Sequence, residues 1–193
     1  MRRRMLASLG GAKLPYDAEV EYLQNSSSLT EYIELPVDVY IGSNPVMEAD
    51  FRYISLKDSN IIGSPNNAIR INHSKTTAYI YYLTTRFSGT VPTVEYYHKW
   101  EYSIGRLRCD GVVVLAYKSL SQTLTCDRIW LFKANHNSIA QAEIHGFKLT
   151  LGGVLVYDLI PVRKDGIGFM YDKVSGQLFG NKGTGAFIIG PDK

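Results

Sequence analysis

The last quarter of the chain constrains the fold most, because short apolar runs alternate there with turns that contain glycine. Gly152-Gly153 separates two apolar runs, and consecutive glycines supply the positive φ angles of a two-residue hairpin turn. Asp165-Gly166 is a second turn of this kind. Residues 144–191 show no helical period, so they predict consecutive antiparallel strands.

Two prolines predict where pairing between strands is incomplete. Pro161 lies in the apolar run 159–163, and it has no N–H to donate to a neighbouring strand, so we predict an edge strand or a crossover there. Pro36 lies within residues 31–40, which for the same reason predict an interrupted edge strand.

The rest of the chain also has the period of strands. Residues 51–57, 77–84 and 94–103 alternate, and in the segment 51–57 both faces carry apolar side chains. Such a strand meets apolar material on both sides, which favours two stacked sheets over one open sheet. The predicted fold class is therefore all-β, a two-sheet antiparallel sandwich, and 193 residues suit one domain of this type.

The charge of the chain excludes several partners. Three of the 21 basic residues are Arg2, Arg3 and Arg4, and the remaining 18 are matched by 18 acidic residues. Because the charges of the rest of the chain are balanced, no nucleic-acid partner is predicted.

No apolar run approaches the ~20 residues of a membrane span. Residues 5–9 are shorter than the apolar region of a signal peptide, so export by that route is not expected.

We divide the chain into an N-terminal arm, residues 1–15, and a domain, residues 16–193. Met1, Met5 and Leu9 share one face of a short helix that Gly10-Gly11 would end. Such a helix is marginal alone, so the arm is either mobile or folds against a partner, with a membrane-surface helix as a third alternative. The residues predicted to make an assembly contact are Arg2, Arg3, Arg4, Met5 and Leu9.

The residues that most often carry chemistry are sparse. Cys109 and Cys126 are too few for a disulfide scaffold, so we predict two buried free thiols, with a disulfide between neighbouring strands as the alternative. His98 stands among aromatic residues, where a packed histidine is commoner than a metal ligand. The four histidines are scattered along the sequence, and no Cys/His cluster predicts a metal.

The run GGVLVYDLIPVRKDGIGFMYDKVSGQLFGNKGTGAFIIGP is similar to the C-terminal signature of LamG-like, concanavalin A-like jelly-roll domains of gut Bacteroides phages and prophages. The likeness covers residues 144–191, and Tyr22-Leu23 with the segment 30–33 resembles the opening of these domains. The usual glycine and aspartate of that opening loop are missing, so no role is carried over to it. A core tryptophan before an Asp-Gly hairpin is a further family feature, matched here by Trp100 and Asp110-Gly111.

This resemblance implies a jelly-roll of the lectin and glucanase type and a protein of the virion, made in the bacterial cytoplasm. As a fibre, tail or capsid-associated component, it would bind a host surface polysaccharide through a lectin-like domain. The alternative is a structural decoration or assembly subunit without glycan binding, attached to other virion proteins through the arm. An oligomer is expected in either role.

No enzyme is predicted. Retaining glucanases need two carboxylates ~5–5.5 Å apart, commonly in an E-x-D-x-x-E motif, which is absent here. Glu19 and Glu21 lie on one face of a terminal strand, where a solvated face is the simpler explanation. LamG-like domains can hold calcium, but no dense Asp/Asn loop supplies a ligand set, and no cofactor is predicted.

Glycan contacts are predicted in polar loops, because asparagine amides both donate and accept hydrogen bonds, as sugar hydroxyls require. Tyr97 would add an aromatic surface for stacking. Asparagine is also a common turn former, and that explanation stays open. The candidate residues are Asn66, Asn67, Tyr97, Asn135, His136 and Asn137.

Overall fold

The computed structural model describes residues 14–26, 30–55, 59–66, 68–82, 85–118, 125–134 and 138–193. Residues 1–13 of the predicted arm lie outside them. In chain order, the strands are β1 Ala18–Glu19, β2 Leu23–Gln24, β3 Ile33–Tyr40, β4 Val46–Ser55, β5 Ser59–Gly63, β6 Ile69–Ser74, β7 Thr77–Tyr82, β8 Thr85–Thr90, β9 His98–Ser103, β10 Arg106–Cys109, β11 Val112–Ala116, β12 Thr125–Leu131, β13 Lys133–Ala134, β14 Ser138–Ile139, β15 Gln141–Leu151, β16 Val154–Lys164, β17 Ile167–Asp172, β18 Leu178–Phe179 and β19 Ile188–Ile189. One 3-10 turn, Ile41–Ser43, stands between β3 and β4.

These strands form two stacked antiparallel sheets, which confirms the predicted all-β jelly-roll sandwich. The larger sheet has the order β11-β10-β9-β4-β15-β16-β17-β18, with β1 beside β16 and with β2 pairing β15 and β19. The smaller sheet has the order β3-β12-β5-β6-β7-β8, and β13 and β14 form a separate ribbon. No helix in the described residues has the length and apolar character to cross a membrane.

The core lies between the two sheets and is rich in aromatic rings. Trp100 of β9 is 2% exposed, as predicted. Its ring stacks on Phe51 of β4 with centroids 5.8 Å apart and meets His73 of β6, in the opposite sheet, edge-on at 4.5 Å. Nε2 of His73 is 3.1 Å from the hydroxyl of Tyr102. This cluster therefore packs the centre of the larger sheet against the smaller one.

The hairpins follow the turn chemistry of the sequence. Two-residue turns with both φ angles positive join β10 to β11, β15 to β16 and β16 to β17. Their central residues are Asp110-Gly111, Gly152-Gly153 and Asp165-Gly166. All three predicted hairpins are confirmed.

Of the two proline predictions, one is confirmed and one is wrong. Pro36 lies in β3, which is the edge strand of the smaller sheet, and the opposing strand β12 has a register shift between Cys126 and Arg128. Pro161 instead lies inside β16, which pairs on both sides. Its carbonyl accepts a hydrogen bond from N–H of Val20 at 3.1 Å. Because proline has no N–H, one hydrogen bond between strands is missing here. Its position is just beyond the two-residue strand β1, so little pairing is lost.

The two stretches that carry the family resemblance pack against each other. Oδ1 of Asn181 accepts hydrogen bonds from N–H of Tyr32 at 3.1 Å and of Gly183 at 2.8 Å. A Cβ at Gly183 would overlap the carbonyl oxygen of Thr30, so only glycine fits. The FGNKGTG motif therefore joins the C-terminal segment to the start of the smaller sheet.

Both cysteines are buried and free, which confirms that prediction. Burial, with a contribution from the Asp110 carboxylate, raises the pKa of Cys109 to about 12. Burial also raises the pKa of Cys126 to about 11. Both side chains are therefore protonated thiols at neutral pH in the metal-free protein.

Candidate functional site

A groove with a volume of about 410 Å³ opens on the outer face of the larger sheet, away from the core. Side chains of β4, β9, β10, β15 and β16 line it. Because successive residues of a strand point to opposite faces, the residues that alternate with buried Met47, Ala49 and Trp100 face this groove. The volume is within the range of ~300–1,000 Å³ that is usual for small-ligand sites.

One row of the groove consists of charged residues that are neighbours across five adjacent strands. In order across the sheet they are Arg108, Glu101, Glu48, Lys148 and Asp158. The Arg108 guanidinium forms an ion pair with Glu101. Glu48 lies directly opposite Glu101, and no ion pair joins Glu48 to another described residue. Glu48 therefore presents an exposed carboxylate to the groove.

The Asp158 carboxylate is held by two lysines at the far end of this row. Nζ of Lys173 lies 3.1 Å from one carboxylate oxygen, and Nζ of Lys148 lies 4.0 Å from the other. Both lysines are about half exposed, with side-chain exposures of 48% and 47%. Their ammonium groups keep N–H donors available to a ligand in the groove.

A second row is shaped by a β-bulge in β15. The register with β4 shifts between Ile144 and Gly146, so that His145 and Gly146 together lie beside Asp50. Gly146 has no side chain to fill the floor of the groove, and Lys99 lies opposite Asp50 on the other side. Gly146 thus leaves space on one side of the Asp50 side chain, and Lys99 lies on its other side.

Tyr97, from the loop before β9, stands over this second row. Its ring contacts His145 edge-on with centroids 4.6 Å apart, and the Asp50 carboxylate lies near its hydroxyl. Burial and this carboxylate raise the pKa of Tyr97 well above its usual value. The side chain is still 43% exposed. Tyr97 is therefore fixed in orientation while part of its surface is open to a ligand.

His145 contacts two tyrosine rings. The centroid of the Tyr22 ring lies 5.4 Å from that of His145, in addition to the contact with Tyr97. Burial lowers the pKa of His145, although the Glu143 carboxylate 3.6 Å from its Nε2 opposes that shift. A neutral imidazole at the centre of the groove offers one donor and one acceptor.

An ion pair between half-exposed Arg52 and buried Glu143 lies beside the site. Nε and Nη2 of Arg52 donate to the two carboxylate oxygens of Glu143 at 2.6 and 2.9 Å. The two residues are opposite each other on β4 and β15, and Glu143 is buried. This bidentate pair fixes the register beside the bulge and leaves Glu143 committed to Arg52.

The predicted glycan site included both Asn66 and Tyr97, but the structure places these two residues apart. Asn66 lies in the turn after β5, in the smaller sheet, beside a second open cleft lined also by Asp38, Tyr40 and Thr125. Its Nδ2 donates to the carbonyl of Thr125 at 2.8 Å, and its Oδ1 accepts from N–H of Ala68 at 3.1 Å. The amide of Asn66 is thus occupied by the turn itself.

The other predicted contact residues lie outside the described part of the chain. For the glycan site these are Asn67, Asn135, His136 and Asn137, and for the arm they are Arg2, Arg3, Arg4, Met5 and Leu9. They remain predictions.

The chain was compared with protein-family models and with curated proteins. No protein-family model matches it, and no curated protein matches it either. The function is therefore inferred from the geometry of the groove together with the resemblance described above.

Proposed function

We propose that this protein is a non-catalytic glycan-binding domain and that the groove across β9, β4, β15 and β16 is its binding site. The observation that carries the proposal is the position of Tyr97. It stands, half-exposed and packed against His145, beside a groove lined with polar side chains. The set of contacts that a sugar requires, an aromatic surface beside hydrogen-bonding groups, is thereby present in one place.

The polar side chains suit sugar hydroxyls, which both donate and accept hydrogen bonds. Glu48 offers acceptor oxygens, while Lys99 and Lys148 offer donors. Acidic and basic groups are mixed along the row rather than forming one patch of like charge. This balance favours a neutral or mixed-charge glycan over a strongly anionic one.

The carboxylates in the groove support binding without hydrolysis. A general acid in a glycosidase is a carboxyl group whose environment keeps it protonated. Here Glu101 is paired with Arg108, and Asp158 lies between two lysines, so both carboxylates are engaged by basic side chains. Glu48 is exposed to solvent.

The place of the domain is proposed from the family resemblance. LamG-like jelly-rolls of gut Bacteroides phages suggest a virion component that meets the host surface. A lectin-like groove gives such a component a means of binding host polysaccharide. A purely structural subunit is the alternative, and it predicts no glycan ligand.

A glycan array of host surface polysaccharides tests the proposal. We expect the wild-type protein to bind a subset of the array and Tyr97→Ala to weaken that binding about tenfold or more, because the stacking surface is lost. Tyr96→Ala is the matched control, since Tyr96 is a neighbouring tyrosine with 71% exposure, whereas Tyr97 packs against His145, which lines the groove.

Two results would count against the proposal. If the folded wild-type protein binds no host polysaccharide, the structural role is favoured. If binding occurs but Tyr97→Ala and Lys99→Ala both leave it unchanged, the groove is not the site. Release of reducing sugar from a bound polysaccharide would show that the protein is an enzyme.

A further inference from the structure

We propose that His98, Cys109 and Asp110 form a zinc site at the hairpin between β10 and β11. The three potential ligand atoms, one from each side chain, all lie within 4.8 Å of one another. Nδ1 of His98 is 2.7 Å from Oδ2 of Asp110, and Sγ of Cys109 is 3.8 Å from the same oxygen. This site adjoins the proposed glycan groove, which Lys99 and Gly111 line, but its three ligand residues are not among the groove-lining residues.

The pairing of β9 with β10 brings His98 close to Cys109 and Asp110, although His98 is distant from them in sequence. β9 and β10 pair with Cys109 opposite Trp100, so the turn after β10 returns to the start of β9. N–H of Asp110 donates to the carbonyl of Lys99 at 2.8 Å, and Oδ1 of Asp110 accepts from N–H of Lys99 at 2.9 Å. These two hydrogen bonds hold Asp110 beside His98 and leave its Oδ2 directed at the cluster.

The distances suit a small tetrahedral ion. Zinc bonds of ~2.0 Å to nitrogen or oxygen and ~2.3 Å to sulfur place tetrahedral ligand atoms about 3.3–3.5 Å apart. The observed separation from imidazole to carboxylate is somewhat shorter than this, and that from thiol to carboxylate is somewhat longer. Side-chain rotation of a few tenths of an ångström would accommodate the ion.

The donor set indicates zinc rather than calcium. Thiolate and imidazole are ligands that zinc prefers, whereas calcium takes oxygen ligands almost exclusively. On binding, the Cys109 S–H bond breaks, a Sγ–Zn bond forms, and the proton passes to solvent. One thiolate and one carboxylate then balance the two charges of the ion, and a water molecule completes four-coordination.

His98 has further bonding capacity at this site. Its side chain is 15% exposed, and its Nε2 is buried without a hydrogen-bond partner in the described part of the chain. The ring is oriented by the bond to Asp110 and by an edge-on contact with Trp100 at 5.8 Å. A metal bound at Nδ1 would replace this hydrogen bond with a stronger and more directional one.

Titration of the purified, reduced, metal-free full chain with Zn²⁺ tests the proposal. We expect binding of one ion by calorimetry, and a sulfur-to-metal charge-transfer band when Co²⁺ is used as the probe. Cys109→Ser should abolish the band, and Asp110→Asn and His98→Gln should each weaken Zn²⁺ binding more than about tenfold. Cys126→Ser is the matched control, because it removes the other buried thiol and should change neither signal.

The proposal is overturned if the folded wild-type protein binds no Zn²⁺, in which case the cluster only clamps the hairpin through hydrogen bonds. It is also overturned if Cys109→Ser keeps the charge-transfer band or if Cys126→Ser loses it. Circular dichroism establishes that each variant is folded. If Cys109→Ser does not fold, Asp110→Asn decides, since its amide oxygen can still accept from N–H of Lys99, and unchanged Zn²⁺ affinity in that variant would contradict the site.

Discussion

Trp100→Ala is expected to lower the free energy of unfolding by about 3–5 kcal/mol, as a large-to-small change in a packed core. The indole is 2% exposed, and it contacts Phe51 in its own sheet and His73 in the other. Removing it leaves a cavity where the two sheets meet, which the β-strands on either side cannot readily close. Urea unfolding followed by circular dichroism measures the loss.

Tyr96→Ala provides the control for that experiment. Tyr96 is also an aromatic residue close to the start of β9, but it is 71% exposed. Its replacement should change the free energy of unfolding by only about 0.5 kcal/mol. Equal losses in the two variants would show that Trp100 has no special role in the core.

Acid should destabilise the protein through His73. Complete burial, with a smaller effect of His98, lowers the pKa of His73 to about 3 in the folded state. An unfolded chain binds the proton near the ordinary pKa of about 6.5. The stability that the neutral side chain provides is thus present above about pH 6.5 and is lost as the pH falls towards about 3.

The expected slope within that window is about 1.4 kcal/mol per pH unit, because one proton is taken up on unfolding. Between about pH 7 and about pH 4.5, this amounts to about 2–3 kcal/mol. His73→Gln removes the titrating group, so its unfolding free energy should fall less over the same interval. Parallel pH curves for the wild type and His73→Gln would contradict the assignment.

The fold was predictable from the sequence where local chemistry determines it. Asp110-Gly111, Gly152-Gly153 and Asp165-Gly166 have the φ angles that two-residue hairpins need, and a period of two marks the strands between them. Pro161 was misjudged because the cost of a missing N–H depends on the neighbouring strand. That neighbour, β1, is only two residues long at this point, which a local pattern does not reveal.

The site was less predictable because it depends on register. Tyr97 was identified from its chemistry, but its partners Asp50 and His145 belong to distant strands. β4 begins at Val46 rather than at residue 51, so Glu48 and Asp50 were not placed on a strand face. The bulge at His145 leaves no local signal in the sequence.

Pairing between strands also determines features of other polar residues that the sequence alone did not reveal. His98 and Cys109 are eleven residues apart, and only the alignment of β9 with β10 makes them neighbours. Asn66 had two explanations in the sequence; its hydrogen bond to Ala68 matches that of a turn former, and its role in glycan binding stays a prediction. Tertiary contacts therefore decide which polar residues remain available for binding.

The proposed function requires that ligands bind to the outer face of the larger sheet. It is tested most directly by titrating the isotope-labelled protein with the strongest glycan from the array and mapping the shifts of backbone amide resonances. We predict that the largest shifts fall on Glu48, Lys99 and Gly146, which line the groove. Shifts confined to Asp38, Asn66 and Thr125, around the cleft of the smaller sheet, would contradict the account.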